Sequence, residues 1–234
     1  MHVFLCGGGD GAQTVEANRR LNAVIDHAKP LLYIPLAMEP ARYDGCYEWI
    51  SGELREVDVP RIEMVRSAEE LAGKTLSDYC ALFIGGGNTF KLLDDLKRSG
   101  AFQKIRAYLE NGGVAFGGSA GAIIFGEDLE SCRLDDRNNV CLTDTVGFDV
   151  LNGVSLLCHY TNRTAEKDAA SREYLLEISK HRRAAALPEE VTLLVTDDRV
   201  EVIGDRPFYC FVNGSMRANS GGSFLKTEFC REES

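Results

Sequence analysis

Short apolar runs alternate with segments of helical periodicity along the chain, and this alternation limits the possible folds more than any other feature of the sequence. The apolar runs cover residues 3–6, 31–35, 80–84, 113–116 and 154–158. Strands that are separated by helices usually form a parallel sheet with helices on both faces. We therefore predict an α/β fold with a doubly wound, mostly parallel sheet.

The segments between the runs carry apolar residues at helical spacing. One stripe is formed by Leu21, Val24, Ile25 and Ala28, and a second by Phe102, Ile105 and Leu109. A stripe at positions i, i+3, i+4 and i+7 lies on one face of a helix and packs on a core. Residues 165–180 are also predicted to be helical.

The C-terminal part has a different pattern. Residues 191–196 and 199–204 flank Asp197-Asp198 and predict a hairpin, followed by a strand at 208–212. This pattern favours an antiparallel edge on the main sheet, and residues 213–223, rich in Gly and Ser, are expected to be loose. Because no linker, repeat or low-complexity stretch interrupts the chain, residues 1–234 are expected to form a single domain.

Charge and cysteine usage exclude several classes of function. The net charge of −10 and the lack of a basic stripe argue against a nucleic acid partner. The eight cysteines lie singly along the chain, and no CxxC or HExxH motif is present, so we expect neither disulfides, nor a metal, nor a cofactor. No leader or apolar run suited to a bilayer is seen, which predicts a cytoplasmic protein without a membrane partner.

Small and polar residues follow four of the predicted strands. These segments are 7–10, 85–89, 117–121 and 159–163. In open α/β sheets, ligands bind beyond the carboxyl ends of the strands. We therefore expect the functional site at this edge.

The segment Gly117-Gly118-Ser119-Ala120-Gly121 fits the pattern G-x-S-x-G between a strand and a helix. In such a turn, small neighbours allow the serine hydroxyl to project from the sheet, and the next amide, here that of Ala120, can stabilise an oxyanion. Ordinary glycine-rich turns produce the same pattern, so its surroundings have to decide. Ser119 is the candidate nucleophile.

A serine nucleophile needs a base, and the chain has four histidines. His2 precedes the first strand, and His27 and His181 follow helices that return to the opposite edge. Only His159 directly follows a predicted strand. His159 is therefore the candidate base, although a structural histidine in a turn is the alternative.

The acid that would orient the base is less well defined. Asp135 and Asp136 lie in a polar stretch between Ser119 and His159 and could fold back over the site. Glu127 and Asp128 are less favoured, because a helix beginning at Ser119 would carry them away from the edge. Asp135 and Asp136 cannot be separated by these arguments.

The segment 85–89 is glycine-rich and opens a predicted helix. It lacks the lysine of a P-loop and the spacing of a dinucleotide-binding motif. An N–H of Gly86 or Gly87 could instead complete an oxyanion hole with Ala120. A structural turn with Asn88 as the helix N-cap is compatible with either use.

Together, the motifs Gly-Gly-Gly-Asn-Thr, Gly-x-Ser-Ala-Gly-Ala and His-Tyr-Thr-Asn resemble those of peptidase E, the aspartyl dipeptidase family that also includes cyanophycinases. The resemblance extends from the first strand to residues 187–189. It implies a flavodoxin-like sheet related to the class I glutamine amidotransferases. It also implies a serine peptidase that takes small peptides, namely dipeptides with an N-terminal aspartate, and that forms a homodimer.

The same resemblance implies roles for individual residues. Ser119 and His159 match the catalytic pair, and Gly87 and Ala120 match the oxyanion donors. The acid falls within residues 133–136. The remaining matches concern substrate binding and involve Gly86, Asn88 and Arg172, the last of which would hold the substrate's side-chain carboxylate.

Three positions depart from the family pattern, namely Ile123, Cys158 and Glu190. They weaken the assignment of the substrate more than that of the hydrolase. An isoaspartyl or cyanophycin-like peptidase is therefore an alternative. A binding module that has kept the motifs but lost catalysis is another.

Overall fold

The computed structural model describes residues 1–231, and twelve strands in this part of the chain form two sheets. The strands are β1 His2–Cys6, β2 Leu31–Ile34, β3 Ile62–Met64, β4 Ala81–Ile84, β5 Val114–Gly118, β6 Val154–Leu157, β7 Arg183–Ala186, β8 Thr192–Val195, β9 Arg199–Ile203, β10 Phe208–Val212, β11 Ser215–Asn219 and β12 Ser223–Leu225. The α-helices are α1 Val15–Asn22, α2 Tyr43–Glu53, α3 Ala68–Gly73, α4 Thr89–Ser99, α5 Ala101–Glu110, α6 Ala120–Ile123 and α7 Ala165–Ile178.

The larger sheet has the strand order β12-β9-β8-β1-β5-β4-β2-β3. Its strands β1 to β5 are parallel, and the hairpin β8–β9 joins β1 in antiparallel orientation. Alternate residues of β1 enter two different apolar clusters, Val3 and Leu5 in one and Phe4 and Cys6 in the other. Burial on both faces explains why the strands are continuous apolar runs. The predicted doubly wound α/β fold with an antiparallel edge is confirmed.

Two predicted strands join a different sheet. The four-stranded sheet has the order β11-β10-β7-β6, so that β6 and β10 lie outside the main sheet. Apolar runs predict strands but not their partners, and here β6 pairs in parallel with β7 across the crossover helix α7. Strand β11 occupies residues that were expected to be loose.

The helical predictions differ in outcome. Helix α7 falls within the predicted residues 165–180, and α5 buries Phe102, Ile105 and Leu109 as expected. The stripe that begins at Leu21 is mostly not helical, because α1 ends at Asn22. The Asp26 carboxylate accepts a hydrogen bond from the Ala28 N–H, a local turn that competes with a helix.

The cysteines also require one correction. Cys210 on β10 forms a disulfide with Cys230, contrary to the expectation of a chain without disulfides. Cys6, Cys80 and Cys158 are free and buried, as their apolar surroundings predict. Separately, none of the helices within residues 1–231 is long and apolar enough to cross a membrane.

Candidate active site

Ser119 occupies a strained turn between β5 and α6. Its φ is 53° and its ψ is −117°, a conformation that costs a residue with a side chain about 1–3 kcal/mol. Gly121 must be small, because a Cβ atom there would lie 2.1 Å from the carbonyl oxygen of Ile84. The turn therefore accounts for the G-x-S-x-G pattern and presents the Ser119 hydroxyl at the carboxyl edge of the sheet.

The structure brings His159 into contact with Ser119. The imidazole Nε2 lies 2.8 Å from Ser119 Oγ. The backbone N–H of His159 donates a hydrogen bond of 2.8 Å to the backbone carbonyl of Gly7. A Cβ at Gly8 would lie 2.2 Å from the imidazole Cε1. The glycine loop after β1 therefore packs directly against the ring and fixes its position.

Glu189 holds the other side of the imidazole. Its Oε1 lies 2.8 Å from His159 Nδ1, and its Oε2 accepts a 3.3 Å hydrogen bond from Gln13 Nε2. The Glu189 N–H donates to Asn162 Oδ1 at 2.9 Å. Backbone and side chain of Glu189 are thus both anchored, so the carboxylate is held in place against the ring.

Asp135 and Asp136 do not occupy this position, which corrects the sequence-based expectation. Asp135 forms an ion pair with Arg163. Asp136 accepts hydrogen bonds from the N–H and hydroxyl of Thr89 at the start of α4, and burial raises the pKa of its carboxyl group. Both carboxylates therefore hold the polar loop in place, Asp136 at the start of α4 and Asp135 at Arg163, which precedes α7.

Glu189 follows β7, and that strand explains why sequence reasoning missed it. The strand reads Arg183-Ala184-Ala185-Ala186, and alanine has a low strand propensity. The composition of this run therefore does not indicate a strand. Recognition of β7 would have led to Glu189 by the same rule that led to His159, since both residues follow the carboxyl end of a strand.

The glycine segment after β4 lies next to Ser119. A Cβ at Gly86 would lie 3.2 Å from the Ser119 Cβ. Within residues 1–231, no backbone carbonyl accepts a hydrogen bond from the N–H of Gly86, Gly87 or Ala120. Gly86 and Gly87 line the same cavity as Ser119.

Asn88 acts as the N-cap of α4. Its Oδ1 accepts a 2.9 Å hydrogen bond from the Lys91 N–H, and its Nδ2 donates to the Arg137 carbonyl at 2.9 Å. Both side-chain groups are engaged within the protein. The structural use of Asn88 that the sequence left open is therefore the one observed.

A cavity of about 660 Å³ adjoins the Ser119 hydroxyl and the imidazole. Arg42 is one of its lining residues. Arg172 lies instead in a separate surface groove with Leu176 and Lys180. Of the two arginines, Arg42 is the one placed to meet a ligand bound at Ser119.

An imidazole held between a hydroxyl and a carboxylate can remove the hydroxyl proton, because the carboxylate fixes the tautomer and stabilises the imidazolium that forms. Backbone amides without an internal partner can stabilise negative charge on a carbonyl oxygen that they face. The arrangement of Ser119, His159 and Glu189 is therefore suited to acyl transfer.

The chain is similar to proteins named peptidase E. Peptidase E of Nostoc sp. is 26% identical over 198 residues, covering 81% of this chain and 78% of the relative. Peptidase E of Shewanella putrefaciens is 27% identical over 210 residues, covering 87% and 86%. These matches confirm the resemblance to peptidase E.

Two solved structures share the fold. A peptidase from an acI-B1 actinobacterium superposes with a TM-score of 0.75 over 96% of both chains, at 17% identity. A putative peptidase E protein from Listeria monocytogenes EGD-e gives a TM-score of 0.68 over 87% of this chain and 98% of its own, at 21% identity. Since the family model of peptidase family S51 matches residues 3–203, the chain belongs to this family of peptidases.

Proposed function

We propose that this peptidase hydrolyses dipeptides with an N-terminal aspartate through an acyl-enzyme on Ser119. The observation that carries the proposal is the hydrogen-bonded row of Ser119 hydroxyl, His159 imidazole and Glu189 carboxylate. The peptidase E relatives support the same chemistry.

The acylation step begins when His159 Nε2 takes the Ser119 proton as Oγ attacks the peptide carbonyl carbon. The resulting imidazolium gives this proton to the leaving amine as the C–N bond breaks. Glu189 stabilises the imidazolium and keeps Nδ1 protonated throughout. Water then attacks the acyl-enzyme ester while His159 Nε2 takes a proton from it. The imidazolium gives this proton to Ser119 Oγ as the ester bond breaks, which releases the acid and restores Ser119.

The negative charge on the tetrahedral intermediate requires hydrogen-bond donors. The amides of Ala120 and Gly87 are proposed for this role, with Gly86 lining the same side of the site. Loss of one such donor typically costs about a hundredfold to a thousandfold in kcat.

The thiols near Ser119 are poor rivals as nucleophiles. Cys6 lines the cavity, and the Cys158 Sγ lies 3.7 Å from the Ser119 carbonyl oxygen. Burial raises the pKa of both thiols, so they stay protonated at neutral pH. The hydroxyl of Ser119 is therefore the group that the imidazole activates.

A substrate panel on the native protein tests this proposal. Asp-Ala, Asn-Ala, Glu-Ala and an isoaspartyl dipeptide would be compared by release of free alanine. We expect Asp-Ala to have the highest kcat/KM, about tenfold or more above Asn-Ala, because an ionised side chain would meet a guanidinium. A preference for the isoaspartyl peptide would assign the protein to the isoaspartyl peptidases instead. If none of the four peptides is cleaved, the proposal is refuted.

Replacement of Arg42 is expected to reduce this preference. Arg42→Ala should lower kcat/KM for Asp-Ala about tenfold while changing that for Asn-Ala much less, because only the former presents a side-chain carboxylate. Arg55→Ala is the matched control, since Arg55 follows α2 and lies outside the cavity lining. Equal losses on both substrates would show that Arg42 does not read the side-chain charge.

A further inference from the structure

One face of α2 forms a wall of the cavity beside Ser119. Arg42, Gly45, Cys46, Trp49 and Glu53 all line this cavity. Their spacing of three, four, seven and eleven residues from Arg42 places them on a single helical face. Helix α2 therefore presents a continuous surface to whatever occupies the cavity.

Aromatic residues of the main sheet also line the cavity. Tyr33, Phe83 and Phe116 are aligned in one row across the adjacent strands β2, β4 and β5. The rings of Phe83 and Phe116 are stacked with centroids 4.7 Å apart. Tyr33, Phe83 and Phe116 all line the cavity and give it an apolar floor, with only 2–3% of each residue exposed.

Trp49 lies between this floor and solvent. Its ring meets Phe83 edge-on with centroids 6.4 Å apart, yet 42% of the residue remains exposed. An amphipathic ring that is half-covered in a cavity can still gain contact area from a ligand. Trp49 is also the only tryptophan of the chain.

Besides His159, the cavity is lined by the charged residues Asp10, Arg42 and Glu53. Glu53 accepts hydrogen bonds from the Gly11 N–H, the Thr14 hydroxyl and the Asn18 amide, so its carboxylate is engaged in joining α2 to the start of α1. Arg42 and Glu53 lie at opposite ends of the α2 wall. The stretch between them consists of Gly45, Cys46 and Trp49.

Gly45 keeps this stretch open. A Cβ atom added there would meet no other atom within 4 Å, and glycine inside a helix costs about 1 kcal/mol relative to alanine. A larger residue would fit the helix, and because Gly45 lines the cavity, its side chain would take up space there. The open position thus adds room for a ligand group.

We propose that this cavity is a subsite for a large apolar side chain, preferably aromatic, on the substrate residue that follows the N-terminal aspartate. The inference rests on the proposed function and narrows its substrates to dipeptides of the type Asp-Phe. The exposed part of the Trp49 ring, backed by the buried Tyr33 and Phe83, binds this side chain next to the Ser119 hydroxyl.

The experiment compares Asp-Phe with Asp-Ala in three proteins. In the native chain, kcat/KM for Asp-Phe is expected to exceed that for Asp-Ala about tenfold or more. Gly45→Leu fills the subsite and should remove this advantage, so that the ratio of kcat/KM for Asp-Phe to that for Asp-Ala falls to within about threefold of one. Gly52→Leu is the matched control, because Gly52 lies on α2 outside the cavity lining and also has open space around its Cβ position.

Both leucine variants should unfold at or above the native temperature, since leucine favours a helix more than glycine does. A native enzyme that cleaves both dipeptides at equal efficiency would overturn the subsite and leave the proposed function standing. Loss of the Asp-Phe advantage in Gly52→Leu as well would also overturn it.

Binding is measured independently through Trp49 emission in the Ser119→Ala protein. Asp-Phe should cause a saturable blue shift as it covers the ring, and Asp-Ala should require at least about tenfold more ligand for the same change. If the native chain hydrolyses neither dipeptide, the proposed function fails, and this titration still decides the subsite. An emission unchanged by Asp-Phe would refute it.

Discussion

Ser119→Ala is expected to lower kcat for dipeptide hydrolysis by about a hundred-thousandfold or more. The alanine retains the amides and the cavity but has no group that can form the acyl-enzyme, and removal of a serine nucleophile has effects of this size. The measurement is single-turnover hydrolysis of the preferred dipeptide. Activity within a hundredfold of native would refute Ser119 as the nucleophile.

The fold of the variant is checked by urea denaturation, with Ser119→Gly as a second variant. Position 119 has a positive φ that favours glycine. We therefore expect Ser119→Gly to be at least as stable as Ser119→Ala, whereas at an ordinary helical position glycine is less stable than alanine by about 1 kcal/mol. A clearly less stable glycine variant would contradict the strained turn.

Glu189→Gln is expected to lower kcat about a thousandfold to ten-thousandfold with little change in KM. The amide preserves the shape of the side chain but cannot stabilise the imidazolium, and it allows the unproductive tautomer of His159. Steady-state kinetics on the preferred dipeptide measure the loss. Glu189→Asp should recover part of the rate, because it restores the charge at a longer distance.

Asp135→Asn and Asp136→Asn are the matched controls for this change. Asp135 pairs with Arg163 and Asp136 with Thr89, so each variant should keep more than about a tenth of native kcat. A thousandfold loss in either variant, together with a mild effect of Glu189→Gln, would reverse the assignment of the acid.

The sequence predicts the main sheet because its buried strands are continuous apolar runs. It does not predict that β6 leaves this sheet, since an apolar run carries no information about its neighbour. The carboxyl end of β6 nevertheless meets that of β5, so His159 reaches Ser119 from the second sheet. The edge rule worked for this pair because it depends on where strands end and not on which sheet contains them.

The acid and the substrate-binding residues were harder to predict. Glu189 follows an alanine-rich strand that lacks a strand-like composition. The polar loop between Ser119 and His159 contains two aspartates, which made it the more obvious source of the acid. Arg42 directly precedes α2 and Trp49 lies within it, and the helix sequence Tyr43-Asp44-Gly45-Cys46-Tyr47 contains no recognised motif. Their proximity to Ser119 arises from tertiary packing, which spacing along the chain does not report.

Covalent labelling of Ser119 tests the central claim most directly. The native protein would be treated with a serine-directed organophosphorus reagent, and the modified peptide would be located by mass spectrometry. A single adduct on Ser119, slowed about a thousandfold or more in His159→Ala, is the predicted result, because the imidazole activates this hydroxyl. A native protein that forms no adduct on Ser119, or forms it equally fast without His159, would contradict the account.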